Sequence, residues 1–341
     1  MSGEGFTLML DKVVLYGKFG TIWEASKETD PQQVHAKIMD LRTVEGRRAA
    51  YRLLVFKDCL RHSRVTNVLE AYDAKNEIIL VSASEGWTIP EILDAHKDEA
   101  LPTARIVFEL LQAVKYLHDA AVVHNEICLK SVTLSPTGRV KLRNFEAAVT
   151  LKTPIPTLAY TRPDDYSFIA PEIMFGQRFS SARSDMWSVG CFIAYMLKKK
   201  LAFSNKSMRE TLKDIVWNIG LPTREEFRDL HLPKSIIEFR PGKYLKRNLP
   251  KEMFRGVEIV MVETLRYDRT SRMTARTAVH QFSVRYKMER SAEFFMCGCC
   301  ADTMMSDDQM EEALQDQREG LRRIHQRKFY TDEEQNSSSS A

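Results

Sequence analysis

The side chains best suited to chemistry fall in a few short segments. Lys37 stands in a short strand-like segment from Val34 to Met39. An acid, Glu126, follows His124 and Asn125. Asn144, Phe145 and Glu146 form a polar–aromatic–acidic triplet shortly after the short, strand-like Val140 to Leu142. An ammonium group can hold an anion, a carboxylate can accept a proton, and amide or hydroxyl oxygens can join a metal's ligand set. Far along the chain, Met296-Cys297-Gly298-Cys299-Cys300 follows Phe294 and Phe295. Adjacent cysteines beside apolar residues can accept palmitoyl chains, and two or three chains anchor firmly. Metal binding is the poorer reading, since only three cysteines are close and His325 is distant. A plain unmodified tail is the third.

The elements that must position these groups differ along the chain. Apolar residues alternate from Val13 to Trp23 around Gly17 and Gly20, and Val34 to Met39 reads as a second short strand. Arg47 to Leu60 has helical spacing, with Leu54 and Phe56 among its apolar positions. Asn76 to Ser82 suits a buried strand. From about Thr88 the pattern turns helical. Thr103 is placed to cap a helix whose stripe is Ile106, Val107, Leu110, Leu111, Val114 and Leu117. Residues 144–172 carry prolines and no clear period, which predicts a long loop. Ser184 to Leu197 is apolar around most of its circumference and predicts a helix buried in a large lobe. Further helices are expected to about residue 285, with no internal repeat. Ser306 to Lys328 carries a thin stripe of Met310, Leu314, Leu321 and Ile324, interrupted by Gly320, which could form a short coiled coil or dock on the domain. The serine-rich end is disordered by composition.

Bulk properties narrow the function classes. Of 341 residues, 44% are hydrophobic, enough for a real core. Fifty basic and 46 acidic residues leave a net charge of +4, which gives no reason to invoke nucleic acid. The start, MSGEGFTLML, shows no secretory signal, and no run reaches the ~18 apolar residues of a membrane span. Six scattered cysteines fit a reducing, cytoplasmic setting.

Taken in order, the segments resemble a eukaryotic protein kinase domain. Gly17-Lys18-Phe19-Gly20 resembles the end of the glycine-rich loop that covers ATP phosphates. Val34-His35-Ala36-Lys37 resembles the strand bearing the phosphate-binding lysine. His124-Asn125-Glu126 sits where the family has His-Arg-Asp, and Asn144-Phe145-Glu146 where it has Asp-Phe-Gly. Ala170-Pro171-Glu172 matches the end of the activation segment. Asp185-Met186-Trp187-Ser188-Val189-Gly190 matches the start of the buried helix, and Arg272 the arginine that pairs with Glu172. Ile219 to Glu226, and Leu265-Arg266-Tyr267-Asp268 leading to Arg272, resemble the cyclin-dependent and glycogen synthase kinase branch. The arginine that branch usually places before Ala-Pro-Glu is Ile169 here.

The resemblance also marks departures. The metal-binding aspartate and asparagine of the family correspond to Asn144 and Ser131, which offer oxygens without charge. Glu126 stands for the catalytic aspartate, one methylene longer, and Cys128 for the catalytic-loop lysine. Asn125 replaces the arginine that receives an activation-loop phosphate, so phosphorylation of Thr161 or Tyr166 is not expected to order that loop in the usual way. Lys37 is retained, but its usual acidic partner on the small-lobe helix aligns with Leu53, and no acid lies between Arg47 and Lys57. On that reading Lys37 is vestigial, a surface or cleft lysine. The positions of a small alanine, of the small residue before Asp-Phe-Gly, of the apolar floor and of the first glycine hold His35, Arg143, Thr133 and Leu15, which narrows the nucleotide pocket.

The resemblance implies an α+β bilobal fold over residues 8–285: a β-rich lobe with one main helix to about 85, and a mostly helical lobe from about 86. A tail occupies 286–341. With Leu53, Glu126, Cys128, Ser131 and Asn144 altered together, it implies a pseudokinase rather than an enzyme, with neither ATP nor magnesium expected. Such a protein would act as a scaffold or allosteric regulator of another protein, an active kinase or its substrate. Three candidate surfaces are the basic Lys198 to Lys251 segment, the cysteine cluster, where acylated Cys297, Cys299 and Cys300 would add membrane association, and the Ser306 to Lys328 stripe. The alternatives are a weakly active divergent Ser/Thr kinase using Lys37 and Glu126, and a metal-independent nucleotide sensor in which Arg143 contacts phosphate.

Overall fold

Alternating apolar residues near the start build one antiparallel sheet from β1 (Leu8–Tyr16), β2 (Thr21–Lys27), β3 (Asp30–Asp40), β4 (Val68–Ala74) and β5 (Glu77–Ala83), in the order β1-β2-β3-β5-β4. The computed structural model describes residues 8–288, except 18, 28–29, 84–85, 96–100, 136–137, 152–162, 178–180, 204–205 and 224–254. The expected strand from Val13 to Trp23 is a hairpin, because Gly17 N–H donates to the Gly20 carbonyl (2.8 Å) and turns the chain. A Cβ on Gly20 would collide with the Ile38 carbonyl, so only glycine fits beneath β3.

Strand periodicity divides β3 between two faces. Val34 and Ala36 join Ala25 and Val81 in a small cluster on one face. His35, Lys37 and Met39 point the other way, towards α1 (Val44–Cys59). That helix starts three residues before the expected Arg47, because the Thr43 hydroxyl accepts from Gly46 N–H (3.0 Å) and caps it. Its Ala49, Ala50, Leu53 and Phe56 share the main core with Met39.

The second lobe follows. It contains β6 (Trp87–Thr88), α2 (Ile89–Ala95), α3 (Thr103–Asp119), β7 (Val122–Val123), β8 (Val132–Leu134), β9 (Val140–Leu142), β10 (Val149–Thr150), α4 (Pro171–Met174), α5 (Ala182–Lys198), α6 (Met208–Ile219), α7 (Arg255–Thr264) and α8 (Ala275–Met288). The α3 stripe is buried as expected, but Thr103 is not its cap: it is the first helical residue, Pro102 takes the cap position, and no side chain bonds there. Phe108 of α3 stacks on Phe282 of α8 at 5.8 Å. The buried α5 lies against α7 so closely that a Cβ on Gly190 would come within 2.5 Å of Thr264 Oγ1. The architecture is the expected α+β one, a sheet lobe with one helix beside a largely helical lobe.

The expected long loop from 144 to 172 carries more structure than its prolines suggest. Tight 3-10 turns form at Phe145–Ala147 and Pro163–Phe168, α4 begins at Pro171, and β10 pairs with β7 through Val149 and Val123. These pieces are too short to leave a period in the sequence. Most of the basic 198–251 segment, Thr161, the cysteine cluster and the Ser306 to Lys328 stripe lie outside the described residues.

Candidate functional site

A cleft open to solvent lies between the sheet lobe and the helical lobe. Ile22, His35, Lys37, Leu53, Arg143 and Glu146 are among the residues that line it. Strand β2 carries Ile22 in, β3 carries His35 and Lys37, α1 carries Leu53, and the turn after β9 carries Arg143 and Glu146. As the sequence suggests, His35 and Arg143 occupy the cleft; both are buried.

Lys37 is not an idle lysine. Its Nζ forms an ion pair with Glu146 Oε1, with the two side chains only 16% and 4% exposed. The partner comes from the helical lobe's Asn144-Phe145-Glu146 turn and not from α1, where Leu53 is packed in the core as counted from the sequence. Burial, and after it the Arg143 guanidinium, push the Lys37 ammonium below its usual range, while the Glu126 carboxylate pulls the other way. The same two causes, burial first and then Arg143, lower the His35 imidazole. The sequence hides the role of Glu146 because the family's acidic partner belongs to the small-lobe helix, where this chain has no acid between Arg47 and Lys57. The signal was present: the triplet loses an acid at Asn144 and gains one two residues later.

The turn that carries Glu146 is held from several sides. Arg52 of α1 donates from Nε to the Glu146 carbonyl, so the helix that lacks the acid still grips its replacement. Asn125 donates from Nδ2 to the Ala147 carbonyl (3.0 Å). The expectation that Asn125 cannot order this region through a phosphate is therefore only part of its behaviour: its amide fastens the turn directly. Phe145 packs edge-on against His124 (4.9 Å) and towards Phe56 of α1 (6.4 Å), which links the turn to both lobes.

The segment around Glu126 is set by Asp185 at the start of α5. Asp185 accepts from the backbone N–H of His124 (2.9 Å) and of Asn125 (2.8 Å), and His118 Nε2 lies 2.9 Å from the same carboxylate. Asn125 takes a left-handed backbone there (φ +62°), and His124 Nε2 meets the Arg143 carbonyl at 2.9 Å. These bonds fix the backbone that presents Glu126, which is half-buried. Glu126 and Cys128 line a second, shallow pocket that reaches Ile169, Ala170 and Ser188. The Ser131 hydroxyl accepts from Cys128 N–H and donates to the Cys128 carbonyl, both at 2.9 Å, so it closes its own turn. Asn144 adopts a left-handed backbone (φ +71°) and its Oδ1 accepts from Arg143 Nε at 3.4 Å. Thr133 is fully buried in β8, outside the residues lining the cleft.

The scaffold landmarks meet as the sequence indicated. Arg272 donates bidentately to Glu172, at 2.6 and 2.7 Å, with Ser184 donating to the same carboxylate at 3.0 Å. The guanidinium lies 5.0 Å from the Trp187 ring centre.

The protein kinase domain family matches residues 11–283, the span that holds this cleft with its strand lysine, its polar–aromatic–acidic turn and its Asp185-braced loop. The chain belongs to that family. It is 24% identical over 287 residues to extracellular signal-regulated kinase 2 of Dictyostelium discoideum, covering 79% of this chain and 77% of that one. It is also 24% identical over 311 residues to the serine/threonine kinase NLK of Caenorhabditis elegans, covering 85% of this chain but only about half (48%) of the relative. Both agree with the branch indicated by Ile219 to Glu226. These findings overturn two expectations. Substitutions at Leu53, Glu126, Cys128, Ser131 and Asn144 had suggested that the chain is not an enzyme and takes neither ATP nor magnesium. The family match and two relatives named as kinases point instead to an enzyme fold that uses ATP with magnesium. The physical reason the substitutions misled is that each was judged at its own position, and a carboxylate lost at one was not sought at the next.

The residues present also fit the metal. Glu146 Oε2 is a buried carboxylate oxygen with no hydrogen-bond partner. Magnesium in phosphate sites is held by one or two carboxylates together with substrate phosphates. No helix among the described residues is long and apolar enough to cross a membrane.

Proposed function

We propose that the chain is a divergent serine/threonine protein kinase of low turnover that binds ATP in the cleft between its lobes. The observation that carries this reading is the Lys37–Glu146 pair. In the family the lysine holds nucleotide phosphates and needs a carboxylate to orient it; here a carboxylate is supplied from a different element.

The chemistry assigned to the residues is as follows. Lys37 holds the nucleotide phosphates and Glu146 orients it. A substrate hydroxyl enters from the cavity beside Ile169 and Ala170. Its oxygen attacks the γ-phosphorus, the bond to the bridging oxygen of ADP breaks, and the hydroxyl proton passes to Glu126. Magnesium, when bound, neutralises charge on the phosphates. Cys128 adds no positive charge where the family has a lysine, and Glu126 carries its carboxylate on a longer arm, so turnover belongs below the ~1–100 s⁻¹ usual for kinases. The protein partner expected from the fold is then a substrate or a regulator. Acylation at Cys297, Cys299 and Cys300 remains a separate proposal for the tail.

The test is transfer of labelled phosphate from ATP to a degenerate Ser/Thr peptide mixture, with magnesium or manganese, by the full chain. Slow transfer is expected, lost in Lys37→Arg and Glu126→Gln at unchanged melting temperature. Arginine keeps the pair with Glu146 but not the point-charge geometry. Transfer no faster than in the absence of protein, or equally fast in both variants, contradicts the reading. Nucleotide binding without transfer would leave a nucleotide-binding regulator.

A further inference from the structure

Resting on that reading, we propose that Glu146 is a metal ligand of this cleft: its Oε2 takes the divalent cation of the bound nucleotide, in place of the charge missing from Asn144. The relocated acid thus serves two groups, the lysine through Oε1 and the metal through Oε2.

The observations converge on that one oxygen. Glu146 is among the most buried acids of the described residues, at 3% exposure, and it lines the cleft. Its Oε1 is paired with Lys37, while Oε2 is buried and has no hydrogen-bond partner. An ionised carboxylate has about four acceptor sites, and leaving a buried oxygen unmet is costly. Nothing in the fold needs that cost. The Arg52, Asn125 and Phe145 contacts that hold the turn all use backbone or the neighbouring residue, and none uses the Glu146 carboxylate.

The ligand class follows from what surrounds the oxygen. Among the described residues no three His, Cys, Asp or Glu side chains gather to make a metal cage. A cation here must therefore draw most of its ligands from phosphate and water, and needs the protein mainly for one charged hard oxygen. That is the usual mode of magnesium with nucleotides. The Asn144 amide oxygen, next to Arg143 Nε, offers a neutral second ligand. Ser131 offers less, because its hydroxyl already closes the Cys128 turn.

The test measures metal directly. Manganese is titrated into the full chain with a non-hydrolysable ATP analogue, and free Mn²⁺ is followed by electron paramagnetic resonance. Nucleotide affinity in EDTA is measured in parallel. Glu146→Gln is expected to weaken Mn²⁺ binding by about tenfold or more, a larger loss than that of analogue affinity in EDTA, which reports the hold of Glu146 on Lys37 alone. Adding Asn144→Asp to Glu146→Gln returns a carboxylate to the turn and a counter-charge to Lys37, and is expected to restore Mn²⁺ binding. Should Glu146→Gln not fold, crystals of the unaltered chain with Mn²⁺ and analogue decide: the anomalous peak is expected within about 2.0–2.5 Å of Glu146 Oε2. Mn²⁺ affinity unchanged in folded Glu146→Gln, or a peak away from Glu146, overturns the inference and leaves the kinase reading standing. Absence of analogue binding to the unaltered chain, with or without metal, overturns both.

Discussion

At the scale of single residues, the Lys37–Glu146 pair decides how the site is understood. Both side chains are largely buried, so removing one leaves the other without compensation. Lys37→Met is expected to lower stability by about 3–5 kcal/mol, and the double change Lys37→Met with Glu146→Gln to recover most of it. Urea midpoints of the single and double variants check this; equal losses in both would mean the pair contributes no coupling. His62 gives a pH signature. It stacks on Tyr116 at 4.6 Å and its Nδ1 accepts from Arg64 N–H at 3.2 Å, which only the neutral ring can do. Burial first, then the charges of Arg64 and Lys115, push it down to about 4 from 6.5. The folded value lies below the unfolded one, so between those two pH values the unfolded chain binds more protons. Stability falls as pH falls through that window, by no more than about 3 kcal/mol. His62→Phe, which keeps the ring stack, is expected to lose less melting temperature between pH 7 and 5 than the unaltered chain; equal losses would place the sensitivity elsewhere. Of this residue scale, the sequence revealed Lys37, His35 and Arg143 as cleft residues. It hid the role of Glu146, because a contact between elements far apart in the chain leaves no local pattern.

At the scale of elements, α5 and the Glu172–Arg272 pair hold the helical lobe. Gly190→Ala would drive a methyl against Thr264 Oγ1 and Leu265 Cδ2, at 2.5 and 2.8 Å. Overpacking of this kind is expected to destabilise by about 1–3 kcal/mol, read as a lowered denaturation midpoint. An unchanged midpoint would mean that α7 moves aside freely. Arg272→Leu strands a buried carboxylate to which, among the described residues, Ser184 still donates, and a loss of about 3–5 kcal/mol is expected in the same assay. These elements were legible in the sequence because long helices carry their period through many residues: the α3 stripe and the all-round apolar α5 are both where the spacing puts them. Boundaries and short pieces were not. Thr43 extends α1 beyond its apolar pattern, Pro102 displaces Thr103 from the cap, and β10 is a two-residue strand whose partner, β7, is known only in three dimensions.

At the scale of the whole molecule, the kinase domain keeps its internal supports and redistributes the charges of its cleft. Asp185 still fastens the loop of Glu126, Arg272 still clamps Glu172, and Phe145 still packs between the lobes. The acid that faces Lys37 has moved from the helix α1 to the turn at 144–146, while Arg52 of α1 grips that turn from behind. The family and fold could be read from ordered landmarks along the chain. Activity could not, since it depends on the sum of charges in one cleft and not on each position compared alone. The most direct measurement is a thermal melt of the full chain with millimolar ATP and magnesium, beside the Lys37→Met, Glu146→Gln double variant. A ligand at 100 times its dissociation constant adds about 2.7 kcal/mol of stability. A clear upward shift for the unaltered chain, absent in the double variant, is the expected result; no shift for the unaltered chain under any metal condition would contradict nucleotide binding and with it the kinase reading.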